Sequence, residues 1–273
     1  MKLLLILFTL FFSLKGNSQN CFEVHKKKSK VLKEKRSIWV GLPANYHKDS
    51  SYAVVYVLDA EDRFELTYSL TKELFDNQHA IPELIVVGIP NIDKLRRLND
   101  LTFTDSKVNV TGNKDTIGYF SPSFTGNGIS FLNFLEKEVV PFINKHYSTN
   151  GFNTLMGHSI GGYFCAYILP IQKSFSAFQI YDPSIWYNDG DAITHLQKEL
   201  DLNYKSNIFI SKGIAFDGSI EYISHHLSMI DSLGSFLSKY PRLKTTSATY
   251  EKDHNAMYLF SVMEGLTTLF KDE

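Results

Sequence analysis

Residues 154–164 read TLMGHSIGGYF: a short apolar run, a serine set among glycines, and a second apolar run. Gly157-His158-Ser159-Ile160-Gly161 fits the pattern G-x-S-x-G, and Gly162 follows it. Glycine weakens strands and helices alike, so its concentration around one serine needs a reason. A strand that turns at once into a helix supplies one. Such a turn forces Ser159 into strained backbone angles and leaves room only for small neighbours. The serine hydroxyl is then lifted above the sheet at a helix N-terminus, where free N–H groups and the helix dipole favour developing negative charge. From glycine and serine frequencies the bare pattern arises by chance in roughly one chain in ten of this size. The strand before it and the helix after it are what make it informative. Ser159 is the candidate nucleophile, and the N–H of Ile160 is one half of an oxyanion hole.

On either side of this turn the chain alternates. NTLMG precedes it and helix GGYFCAYIL follows. Then come strand AFQIYDPS and helix DAITHLQKEL, strand NIFISKG and helix EYISHHLSMIDSLGSFLSKY, and strand TTSATYE with helix AMYLFSVMEGLTTLF. Upstream, YAVVYVLDA and ELIVVGIPN are apolar on both faces and closed by turn residues, as strands inside a parallel sheet are. Between them, Asp62 to Asn77 has helical spacing of Phe64, Leu66, Leu70 and Leu74, the crossover of a right-handed βαβ unit. ISFLNFLEKEVVPFINKHY places Phe131, Leu132, Leu135, Val139, Phe142 and Ile143 on one helical face. The pattern predicts an α/β fold, a doubly wound and mostly parallel sheet flanked by helices. Residues 92–127 break the rhythm, being polar with scattered aromatics and no clear period. A loop of that size in a compact domain is functional or disordered. HKKKSKVLKEKRSIWVGLP reads as an exposed basic hairpin leading into strand SIWVGLP, with a basic rim for an anionic substrate as the competing reading.

The chain has 273 residues, 44% hydrophobic, enough for one large core, and no repeat or low-complexity linker divides it. The expected organisation is a signal peptide over residues 1–18 and a single domain over 19–273. MKLLLILFTLFFSLKGNSQN opens with a lysine, and its apolar run from Leu3 to Leu14 falls short of the ~20 residues that span a bilayer. Small residues Gly16 and Ser18 follow it. The expectation is an exported protein, periplasmic or secreted, without stable membrane insertion. A formal net charge of -1 gives no global attraction to nucleic acid or to an anionic membrane. The two cysteines, Cys21 and Cys165, make no disulfide framework, and Cys165 reads as a small buried hydrophobe.

A nucleophilic serine needs a base, and the base an orienting acid, in the chain order Ser, then Asp or Glu, then His. His195, His225, His226 and His254 follow Ser159. The first three lie within helical segments. His254, in YEKDHNAMY between the last strand and the last helix, sits where strand ends place functional residues, and is the expected base. For the acid, the loop after NIFISKG offers Asp217, with Glu221 as the alternative. Asp253 reads as a surface turn residue. The second oxyanion donor is expected from the turn after VVYVLDA, at the amide of Ala60 or Glu61. No H-E-x-x-H, zinc-spaced cysteine pairs, P-loop or dinucleotide fingerprint is present, so no cofactor and no metal are expected.

VVYVLDA, ELIVVGIPN with RRLNDLT, LEKEVVPFINKHY, LMGHSIGGYF, YDPSIWY and DHNAMYLFSVMEGL, in this order, resemble the putative-esterase family of α/β hydrolases. The resemblance runs from about Ile38 to Phe270, and Pro183-Ser184-Ile185-Trp186 is similar to a segment of its siderophore-esterase branch. It implies an α/β-hydrolase fold and a serine carboxylic-ester hydrolase with a small-molecule ester substrate, such as a siderophore ester or a phenolic or acetyl ester of a carbohydrate. Acyl transfer on the same scaffold and a non-catalytic binding domain are the alternatives. Two departures bear on the substrate: Asp59-Ala60 stands where relatives commonly have Asp-Gly, and Trp186-Tyr187 where a double tryptophan is usual. The 92–127 loop and PSIWY would build the substrate pocket. There Arg96 and Arg97 would pair with an anionic group and Trp186 or Tyr187 would stack on an aromatic one. The competing reading makes the arginines salt-bridged and packs Trp186 under the loop.

Overall fold

The computed structural model describes residues 22–104, 124–215 and 220–271, the side chains of 220–222 excepted. Its centre is an eight-stranded sheet: β1 (Glu23–Lys28), β2 (Lys35–Gly41), β3 (Tyr52–Leu58), β4 (Leu84–Ile89), β5 (Thr149–His158), β6 (Ala177–Tyr181), β7 (Ser206–Gly213) and β8 (Leu243–Tyr250). The spatial order is β1-β2-β4-β3-β5-β6-β7-β8. β2 runs antiparallel to β1 and β4, and every other pair is parallel.

β3 shows why the apolar runs are continuous. Its period of two sends Tyr52, Val54, Tyr56 and Leu58 to one core and Ala53, Val55 and Val57 to the other. Both faces are covered. Helices α1 (Ala60–Asp76) and α8 (Met257–Leu269) close one side through Phe64, Tyr68, Met257 and Val262. On the other side lie α2 (Lys94–Leu101), α3 (Gly128–Phe134), α4 (Val140–His146), α5 (Ile160–Ile168), α6 (Asp191–Glu199) and α7 (Ile220–Leu237). Among the described residues, no helix is long and apolar enough to cross a membrane.

Two local readings change. The segment 92–127 contains α2, a short helix whose apolar positions Leu98 and Leu101 are buried among its charges; residues 105–123 lie outside the described part. The helical stretch after Gly128 is interrupted by a wide turn over Leu135–Val139, where the N–H of Val140 donates to the Leu135 carbonyl five residues back. Pro141 has no N–H for the carbonyl of Lys137, so the wide turn sits where the regular ladder is already one bond short. The basic stretch is a hairpin, with β1 at the sheet edge and Lys26, Lys28, Lys30, Lys33 and Lys35 exposed. Edge lysines discourage further strand pairing. Cys165 is buried; Cys21 lies outside the described residues.

The chain reverses its winding between β3 and β5. The carboxyl ends of strands at such a reversal are where α/β sheets place ligands.

Candidate active site

Three neighbouring strands, β3, β5 and β6, each end in a residue with positive φ: Asp59 at 55°, Ser159 at 59° and Asp182 at 40°. Aspartate tolerates this region, whereas serine rarely enters it. At Ser159, with ψ of −121°, the strain belongs to the turn from β5 into α5. The glycines make the turn passable. A Cβ on Gly157 would stand 2.2 Å from the Gly161 carbonyl oxygen, and one on Gly162 would stand 2.9 Å from Pro183 Cβ. The elbow is tied to the next strand, because the Ser159 N–H donates to the Tyr181 carbonyl at 3.0 Å and the Ser184 N–H to the Ser159 carbonyl at 3.0 Å. Ser159 Oγ lies 3.3 Å from Ser184 Oγ.

α5 begins at Ile160 and α1 at Ala60. The amides of Ile160, Ala60 and Glu61 thus belong to first turns, where N–H groups have no intrahelical acceptor. Both helices start at the carboxyl ends of the adjacent parallel strands β3 and β5.

The carboxylate that the described structure brings to the base is Asp182, not a residue beyond β7. His254 Nδ1 lies 2.6 Å from Asp182 Oδ2, with the Asp182 side chain wholly buried and that of His254 30% exposed. The N–H of Gly213 donates to Asp182 Oδ1 at 3.1 Å, and His226 Nε2 approaches the same oxygen at 3.3 Å. Burial by itself would raise the carboxyl pKa; hydrogen bonding and charge from His226 and His254 overcome it and hold Asp182 well below the usual carboxylate range. Asp217 lies outside the described residues, as does the side chain of Glu221. Asp182 stands one strand earlier than the loop after β7 in which the sequence pointed to the acid. One signal was in the sequence: Asp182 ends the strand directly after the nucleophile strand and precedes a proline, so it sits on the same edge of the sheet as Ser159. His226, read as an ordinary helix histidine, is 1% exposed and faces the acid.

Asp182, His226 and His254 place three donor atoms within 4.8 Å of one another, the one such cluster among the described residues. Ligands held about 2.1 Å from a tetrahedral zinc stand about 3.4 Å apart. The Nδ1 to Oδ2 spacing is instead that of a hydrogen bond with its proton between the atoms.

His158 is buried beside His254, and burial, then the charges of His254 and Arg63, push its pKa well below the ordinary imidazole value. The sign of the consequence follows. Because the folded pKa lies below the unfolded value near 6.5, this group's contribution to stability is fully present above about pH 6.5 and is lost as the pH falls. Between pH 6.5 and 5 the melting temperature of the wild type is expected to drop more steeply than that of His158→Gln; parallel slopes would refute this assignment.

The four residues expected to contact substrate have other partners. Arg97 forms a two-pronged pair with Asp59, Nε to Oδ1 at 2.7 Å and Nη2 to Oδ2 at 2.8 Å, and Asn91 Nδ2 donates to Oδ1 at 2.7 Å. Arg96 pairs with Glu34, which also meets the buried Arg36. Tyr187 is fully buried and its hydroxyl donates to the Thr104 carbonyl at 2.7 Å; Trp186 is 8% exposed and packs in the core. The arginines are thus salt-bridged and the aromatic pair is core, as the competing reading had it. Asp59 Oδ2 would stand 3.2 Å from a Cβ on Gly161, so Arg97 neutralises a carboxylate beside the elbow. Arg97→Ala is expected to lower kcat/KM about tenfold on neutral and acidic esters alike, since it leaves that carboxylate uncompensated where negative charge must develop. A loss confined to acidic esters would assign Arg97 to substrate recognition instead.

A mostly parallel sheet carrying a G-x-S-x-G elbow after β5, an acid after β6 and a histidine after β8 defines an α/β hydrolase. The chain matches the family described as Putative esterase over residues 29–214 and belongs to that family; it is an esterase. No curated protein matches the sequence. Among solved structures it is similar to an IroE-like serine hydrolase from Shewanella oneidensis, with 31% identity and a TM-score of 0.83 over 92% of this chain and 80% of that one. The siderophore hydrolase EstA from Aspergillus nidulans shares the fold at 19% identity, TM-score 0.77, covering 97% and 99% of the two chains. The enterobactin esterase FES from Shigella flexneri, solved in the presence of enterobactin, does so at 16% identity, TM-score 0.72, with 93% of this chain and 59% of that one covered.

Proposed function

We propose that this esterase works through a Ser159–His254–Asp182 triad and hydrolyses siderophore esters. The observation that carries the triad is the 2.6 Å contact between His254 Nδ1 and the buried Asp182 carboxylate, above the sheet edge where Ser159 is held in its strained turn. Asp182 keeps the proton on Nδ1, so the other ring nitrogen carries the lone pair and acts as base. His254 takes the Ser159 proton as the oxygen attacks the ester carbonyl. The tetrahedral oxyanion is held by the amide of Ile160 and that of Ala60 or Glu61. The imidazolium then protonates the departing alkoxide, leaving an acyl-serine. Water, deprotonated by His254, attacks the acyl-serine; the carboxylic acid departs and Ser159 recovers its proton.

The substrate class rests on the family and on the siderophore-hydrolase relatives that share the fold. Phenolic and acetyl esters of carbohydrates are the second class. Export to the periplasm or medium is proposed from the leader-like residues 1–18, which lie outside the described part. Turnover of a catecholate trilactone, a feruloyl sugar ester and an acetylated sugar, followed by product mass, tests the proposal. Preference for the trilactone by tenfold or more in kcat/KM is expected. A preference for either sugar ester would reassign the substrate.

A further inference from the structure

His158 stands between Gly157 and the nucleophile, and both its ring nitrogens have partners. Nε2 lies 2.7 Å from the backbone carbonyl oxygen of His254, which can only accept, so Nε2 carries the proton. Nδ1 lies 3.2 Å from Nη2 of Arg63, which can only donate, so Nδ1 is bare. The partners therefore assign the neutral Nε2–H tautomer. The same Arg63 nitrogen donates to Asn255 Oδ1 at 2.8 Å, and the guanidinium lies 4.6 Å over the Tyr258 ring. One line of contacts thus joins α1, the elbow, the turn that bears His254, and α8.

We propose that His158 and Arg63 are positioning residues that lock the His254 turn to the strand end carrying Ser159. The inference rests on the reading of Ser159 and His254 as nucleophile and base. In that turn every residue from Glu251 to Ala256 except His254 is exposed, so packing does little to place it. Asp182 holds the imidazole at Nδ1; that contact orients the ring, not the backbone that carries it. The second hold, on the carbonyl of His254 itself, comes from the residue adjoining Ser159 and so sets base and nucleophile against each other directly. Neutrality matters as well. The His158 and His254 rings are 4.3 Å apart, and a cation at that distance would oppose the imidazolium that forms when His254 takes the serine proton. His158 gives a hydrogen bond there without a charge.

The test compares kcat, KM and the rate of covalent labelling by a fluorophosphonate for the wild type, His158→Ala, His158→Gln and Arg63→Ala. Ser159→Ala and His254→Ala serve as references, and melting temperatures are taken throughout. A displacement of about 1 Å at a reacting pair costs on the order of a hundredfold. His158→Ala is expected to lower kcat by about 10–100-fold with KM within about twofold, and to slow labelling in proportion. His158→Gln keeps a side-chain N–H and should recover most of that loss. Arg63, on the partly exposed face of α1, should show a loss of about fivefold, again in kcat alone. Should His158→Ala not fold, Arg63→Ala and His158→Gln carry the test. Wild-type kcat in both, or a loss in KM only, overturns the proposal; so does a loss shared equally by alanine and glutamine and tracking melting temperature. Activity remaining in Ser159→Ala or His254→Ala would overturn the reading of nucleophile and base beneath it.

Discussion

Asp182→Asn is expected to lower kcat on a short-chain p-nitrophenyl ester by about 10²–10⁴-fold while the fold is kept. The substitution preserves volume, and the backbone of Asp182 remains held by its N–H to the Ser211 carbonyl at 2.7 Å. What changes is the atom facing His254. A carboxylate accepts from Nδ1–H and stabilises the imidazolium; an amide can present its own N–H, reversing the tautomer and putting the proton on the nitrogen that should act as base. In a serine protease the equivalent change costs about 10⁴-fold by that route. The pKa of Asp182 is held low, so the acid is ionised through the neutral range and its negative charge is what the substitution removes. Asp217→Asn and Glu221→Gln belong in the same experiment. Near-normal turnover by Asp182→Asn, with a large loss in either of those two, would return the acid to the loop after β7.

Ser159→Ala is expected to lower kcat by at least about a thousandfold and to abolish fluorophosphonate labelling, with melting temperature near that of the wild type. Alanine has the same Cβ as serine, so the strained turn and its hydrogen bonds to Tyr181 and Ser184 are kept. Only the nucleophilic oxygen is removed, and the residual rate comes from binding and the oxyanion donors alone. Ser184 Oγ, 3.3 Å from Ser159 Oγ, is the one hydroxyl that the described structure places beside it. Persistent labelling in Ser159→Ala, lost in the double substitution with Ser184→Ala, would move the nucleophile to Ser184.

Ser159 and His254, the candidate nucleophile and base, stand out in the sequence because their signals are local. The elbow is a steric problem solved within six residues, Gly157 to Gly162, and the glycines that solve it all lie inside that span. His254 lies in a turn bounded by a strand and a helix whose periodicities are plain. The alternation of apolar runs and helical faces likewise determined the fold class, since burial on two faces of a sheet leaves a continuous apolar run and burial on one face of a helix leaves a stripe.

The carboxylate beside His254, the second histidine facing it and the fate of the pocket residues were decided by the tertiary structure. Asp182 and His254 are 72 residues apart in sequence, and their contact depends on β6, β7 and β8 lying side by side in register. His226 reaches the same carboxylate only because α7 packs across that part of the sheet. Arg97 finds Asp59 across 38 residues and Arg96 finds Glu34 across 62, so an RR pair that reads as an anion trap is consumed within the protein. Trp186 and Tyr187 follow a strand end that could lead either to an open cleft or into the core, and packing chose the second. Sequence alone determined what depends on neighbours along the chain: the periodicities, and the turn that holds Ser159. Partnerships between charges depend on distance in space, and that is set only when the sheet is assembled.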